Sequence, residues 1–100
     1  MRLTIILGLL IISGCDSPSP DMRGAITRRV EVGGSLFSVH LLGDRAEAVR
    51  LNVETGPRAR GVMGRGFAAI ETASGCRIVP GSFEGDPALM RARVNCTGEG

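Results

Sequence analysis

Four residues hold most of the reactive chemistry in this 100-residue chain: Cys15, Cys76, Cys96 and the single histidine, His40. A cysteine thiolate is a nucleophile or a metal ligand, and histidine exchanges protons near neutral pH. Their spacing does not assemble a reaction. The thiols do not form the Cys-x-x-Cys pattern of a redox-active pair. One histidine and two distant thiols are too few for a tetrahedral zinc site. His40 falls on the polar side of its strand with no nucleophile or carboxylate identifiable beside it, and reads as an ordinary surface or rim histidine. Asp44 and Asp86 sit in turn signals, where aspartate bonds local backbone, and are not paired catalytic carboxylates. No catalytic residue, metal ligand or cofactor site is expected, and the chain is not expected to be an enzyme.

Arginines are the other chemical resource. Arg58-Ala59-Arg60-Gly61-Val62-Met63-Gly64-Arg65-Gly66 interleaves guanidiniums with glycine, as an anion cradle would. The lysine and Ser/Thr of a P-loop do not follow, and the glycine spacing is not that of a dinucleotide fold. A helical wheel accounts for the same residues as a solvated basic face. Arg58 and Arg65, one helical repeat apart, are the candidates for contact with an anion or a lipid headgroup. Charge is otherwise balanced, with 12 basic and 10 acidic side chains, every basic one arginine. That balance, with phenylalanine the only aromatic type, disfavours a nucleic-acid partner.

The N-terminus has its own logic. Met1 and Arg2 precede an apolar run over residues 3–12, then Ser13, Gly14 and Cys15, then Asp16-Ser17-Pro18-Ser19-Pro20. The run is too short to span a bilayer, which takes roughly 20 apolar residues. A positive start, an apolar stretch and small residues mark a secretory signal. Ile12-Ser13-Gly14-Cys15 resembles the lipobox of bacterial lipoproteins. The resemblance covers about a sixth of the chain and implies cleavage after Gly14, with acylation (palmitate among the acyl groups) at Cys15. Asp16 resembles the retention signal that keeps some Gram-negative lipoproteins in the inner membrane. The implied organisation is a signal peptide over 1–14, a lipidated cysteine and tether over 15–24, a domain over 25–96 and a loose tail over 97–100. Fully extended, the nine residues after Cys15 reach roughly 30 Å.

Lipidation of Cys15 would leave Cys76 and Cys96 as an even pair. In an exported chain, periplasmic or surface-exposed, they are expected to form a structural disulfide.

The domain must supply elements that bring them together. Val30-Glu31-Val32-Gly33-Gly34-Ser35-Leu36-Phe37 is a hairpin signal, with Gly-Gly providing the positive φ angles of a two-residue turn. It pairs Val32 with Ser35, Val30 with Phe37, Arg28 with Val39 and Ile26 with Leu41. At the next turn, a loop over residues 43–45 gathers Val49, Leu51 and Val53 on the apolar face, and is preferred over a two-residue loop at Gly43 and Asp44. A helix is expected from Thr55-Gly56-Pro57, with Ala59, Val62, Met63, Gly66, Ile70 and Ala73 on its buried arc and Gly75 as its stop. Folding the remainder about Asp86 pairs Cys76 with Cys96, Ile78 with Val94 and Pro80 with Ala92, and sets Ser82 opposite Met90. Pro80 and Gly81 suggest an edge or bulge there.

The expected fold is α+β: an antiparallel sheet of β-β-β-α-β-β order with one helix on its apolar face. Five strands spaced about 4.8 Å make a sheet roughly twice as wide as a helix. Either the sheet curls around the helix, or exposed apolar surface meets an envelope protein or a second copy. The expected role is a membrane-anchored, non-enzymatic interaction or structural module of the cell envelope. The alternative is a small-ligand, anion or headgroup binder using the Arg58 and Arg65 face.

Overall fold

The computed structural model of the protein describes residues 22–97. The signal segment, Cys15, the first part of the tether and residues 98–100 lie outside the described residues. Strand β1 (Ile26–Val32) pairs with β2 (Ser35–Leu42) in the register that the Gly-Gly turn predicts, from Val32 opposite Ser35 to Ile26 opposite Leu41. Gly33 and Gly34 have φ angles of 56° and 91°, the two left-handed central positions of a type I′ turn.

The second hairpin differs from expectation. Strand β3 (Arg45–Arg50) follows a two-residue turn, pairing Leu41 with Ala46, Val39 with Ala48 and Phe37 with Arg50. Gly43 has φ 60°, and among the described residues no other residue type has positive φ. A glycine at the first central position alone is the type II′ pattern. The three-residue loop loses because the core beside β3 takes small side chains. Ala46 and Ala48 are buried at 2% and 0% exposure, Val49 lies on the opposite face, and Val53 is 85% exposed beyond the strand.

A 3-10 turn over Gly56–Gly61 leads into helix α1 (Val62–Ser74), so the single expected helix begins as a tighter coil where glycine and proline are dense. Val62, Gly66, Ala69, Ile70 and Ala73 face the sheet; Ala69 joins the expected arc, and Met63 is only half-buried. Gly75 ends the helix with φ 70°, its N–H donating to the Glu71 carbonyl at 2.9 Å.

The last segment is β4 (Arg77–Ile78), β5 (Glu84–Gly85) and β6 (Leu89–Asn95). Near the cysteines the register is as expected: Ile78 opposes Val94, and a Cys76–Cys96 disulfide closes the pair with Cα atoms 4.6 Å apart. Past Ile78 it departs. Proline has no N–H for the ladder, and the chain turns away at Pro80 and Gly81. Ser82 returns beside Arg93 instead of Met90, its Oγ accepting from Arg93 N at 3.1 Å and donating to Val79 O at 2.7 Å. Pairing resumes with Glu84 opposite Arg91 and Gly85 opposite Met90. Phe83 anchors the detour, stacking edge-on to Phe67 of α1 at 5.3 Å.

The six strands form one antiparallel sheet ordered β1-β2-β3-β6-β4, with β5 also on β6. Together with α1 this is the expected α+β fold. The sheet curls around the helix, which packs against β1, β2, β3, β4 and β6. Phe37, Val39, Ile70, Met90 and Val94 lead the core. Met22, which the sequence assigns to the tether, is 3% exposed; its apolar side chain joins the domain.

Candidate functional site

Strand alternation sends every second residue to the face away from α1. The registers line up one row there across five strands. Thr27 of β1 opposes His40 of β2, His40 opposes Glu47 of β3, Glu47 opposes Arg91 of β6, and Arg91 opposes Glu84 of β5. The middle of this polar row is buried: His40 and Glu47 are each 1% exposed. His40 is therefore not the surface or rim residue expected from its strand position. Its Nδ1 lies 2.8 Å from Thr27 Oγ1, Arg91 Nε lies 3.4 Å from Glu47 Oε2, and His40 Nε2 is buried with no hydrogen-bond partner among the described residues. A buried polar atom left unmatched costs about 1–3 kcal/mol, so this row is a place where the fold gives up stability.

Beside it is a cavity of about 390 Å³, lined by Met22, Arg45, Glu47, Glu84, Arg91 and Arg93 among others. Arg45 and Arg93 stand directly opposite each other on β3 and β6. None of these lining residues was singled out from sequence as a site. The two-residue turn at Gly43 and Asp44 would have placed Glu47 opposite His40 by arithmetic, so the signal was present in the register not preferred. The partner strand of Arg45 and Glu47 is remote in sequence and left no such signal.

The sequence-predicted arginines lie elsewhere, around a carboxylate. Arg65 Nη2 is 3.2 Å and Arg58 Nε 3.4 Å from Glu54 Oε1. Ser35 Oγ accepts from Arg65 Nε at 2.6 Å and donates to Glu54 Oε2 at 2.5 Å. Arg65 also donates to the Arg58 carbonyl at 2.5 Å, and Arg58 to the Gly33 carbonyl. Asn52 completes the bracket, accepting from Leu36 N at 2.9 Å and donating to Gly34 O at 3.1 Å. The Ser35 hydrogen bond holds the Glu54 pKa below the ordinary glutamate value, with burial opposing and Arg65, Arg58 and Arg50 assisting. The cluster clamps the first hairpin turn to the start of α1. An external anion here would compete with Glu54 for both guanidiniums.

Asp44 lies in the second turn. Asp86 caps the last one, its carboxylate accepting from Ala88 N at 2.8 Å and Leu89 N at 3.0 Å; these bonds lower its pKa. Among the described residues no group of three or more His, Cys, Asp or Glu side chains could hold a metal ion, and no helix is long and apolar enough to cross a membrane. No family model, curated protein or solved structure matches the chain.

Proposed function

We propose that this protein is a small lipid-anchored module of the bacterial cell envelope, held by acylated Cys15 on the exported side of the membrane and acting by non-covalent interaction. The observation that carries the reading is the Cys76–Cys96 disulfide. Structural disulfides belong to exported compartments in ordinary bacteria, and joining these two leaves Cys15 as the third of the chain's three cysteines. An apolar run, Ser13-Gly14 before Cys15 and a Ser/Pro tether after it supply the export and anchoring half of the argument. The exposed ends of the polar row, Thr27 on one side and Glu84 and Arg91 on the other, offer a surface for recognition, with a second envelope protein or another copy of the chain as partner.

Intact mass of the membrane-extracted protein, with and without reductant, tests this. The expected mass lacks residues 1–14, carries acyl chains on Cys15 and rises by two hydrogen atoms when the reductant opens the Cys76–Cys96 disulfide. Cys15→Ser should release the protein from the membrane fraction. An unmodified Cys15 would sink the reading.

A further inference from the structure

We infer that a second copy of this chain pairs with the open edge of β1, antiparallel and centred on Val30, so that two sheets join into one. The starting observation is the strand order. β1 pairs with β2 on one side, and among the described residues no strand lies on its other side. The strand is seven residues long and has no proline, and its ladder with β2 runs from Val32 to Ile26 without a bulge. Short length, proline and bulges are the devices that block an edge, and β1 has none of them. Five of its residues are exposed, Ile26 at 63%. Charge is the remaining device. Here it is of both signs, so it selects a partner instead of excluding all of them.

The first turn decides which backbone groups point outward. Val32 and Ser35 flank a two-residue turn, so they exchange both ladder bonds, and the pattern alternates from there. Val32, Val30, Arg28 and Ile26 bond to β2. Thr27, Arg29 and Glu31 turn their N–H and C=O groups to the open edge. A second β1 must match these groups with its own, which leaves few registers. Centring the pair on Arg29 sets two guanidiniums against each other, and centring it on Glu31 sets two carboxylates. Centring it on Arg28 again opposes two guanidiniums and leaves Glu31 facing Ala25. Centring it on Val30 sets each Arg29 opposite the second copy's Glu31, and each such pair exchanges both of its N–H···O bonds. Opposite charges directly opposed stabilise a sheet and like charges destabilise it. Arg29 also has an interaction within its own chain. The pairing does not need Arg29 free, because a guanidinium has five N–H donors.

This pairing is strand addition between identical edges. It takes up the second copy named above as a partner, and rests on the interaction half of that reading, not on the anchor. Its twofold axis runs perpendicular to the sheet, so Met22 of each copy lies at the same height and one membrane can hold both.

The test is sedimentation equilibrium of the purified protein in density-matched neutral detergent. Wild type should form a dimer. Arg29→Glu and Glu31→Arg, each alone, oppose like charges at both pairs and should raise the dimer dissociation constant at least about tenfold. An equimolar mixture of the two variants restores opposite charges at every pair and should dimerise like wild type. A variant that had failed to fold could not do so. Arg60→Glu, an exposed change outside β1, should leave the dimer intact. Recovery of the dimer in the mixture supports the pairing. A monomeric wild type, a dimer that survives either reversal, or a mixture that stays monomeric overturns it. An unacylated Cys15 would sink the anchoring alone, because the dimer is read on the chain with or without acyl groups.

Discussion

Arg65 and Glu54 join two parts of the chain that have no sequence proximity to the hairpin they secure. The guanidinium of Arg65, on α1, lies 3.2 Å from the Glu54 carboxylate and reaches Ser35 at the end of the first turn through its Nε. One acid thereby fixes where the helix begins relative to β2.

Acid should loosen this joint. The Glu54 pKa is lower in the folded state than in the unfolded chain, chiefly through the Ser35 hydrogen bond. Its contribution is therefore complete above the ordinary glutamate value of the unfolded chain and is lost as pH falls through the lower folded value. Asp86 acts in the same direction through its two backbone bonds. Denaturation between pH 6 and pH 3 should show stability falling steeply in wild type and less steeply in Glu54→Gln. Parallel curves for the two proteins would contradict the assignment.

Gly66 is a packing requirement. A Cβ there would fall 1.9 Å from Met90 Sδ and 2.8 Å from its Cε, and Met90 is fully buried. Gly66→Ala should destabilise by about 1–2 kcal/mol, overpacking outweighing the gain in helix propensity. At Gly64 an added Cβ meets nothing within 4 Å, so Gly64→Ala should stabilise by up to about 1 kcal/mol. Urea titrations of the two variants give the opposed signs directly.

The disulfide closes the final hairpin over a sequence separation of 20. Replacing both cysteines with alanine should lower stability by about 3 kcal/mol, through a less restricted unfolded chain. Reduction of the wild type should reproduce the loss. A reductant-insensitive denaturation midpoint would show that the core holds without the bridge.

Glu47 needs Arg91. Glu47 is 1% exposed and Arg91 Nε lies 3.4 Å away. Arg91→Gln should destabilise by about 1–3 kcal/mol, less than for a fully buried pair because the Arg91 side chain is 51% exposed. Adding Glu47→Gln should recover part of that loss, since no carboxylate is then left buried beside a missing charge. Strict additivity in the double-mutant cycle would exclude the coupling.

Local chemistry made much of the fold legible. Gly33 and Gly34 impose a turn whose geometry admits one register, so the whole β1–β2 pairing follows from two residues. Gly75 ends the helix for an equally local reason, the freedom to adopt positive φ. The Cys76 and Cys96 pairing could be placed because the turn signal at Asp86 lies midway between them, and Ile78 does face Val94 beside the bridge. The anchoring reading of Cys15 also rests on a contiguous run of residues, and it is the mass measurement on that residue that tests it.

What only the tertiary structure decided was which side of each strand faces what. Pattern favours the register that buries Val49, Leu51 and Val53, because hydrophobicity is visible along the chain. The space beneath α1 is not, and it accepts Ala46 and Ala48 instead. That one-residue difference also turns Glu47 toward His40, builds the polar row and sets Arg45 against Arg93. Polar residues alternating along a strand look solvated in sequence. Whether other parts of the chain cover them is a non-local fact, as with His40 and Glu47. In the same way Arg58 and Arg65 read as a basic helix face until folding brings Glu54 and Ser35 between them. Turns are settled by the backbone freedom of one or two residues, while a site is settled by contacts among segments that meet only in the folded chain.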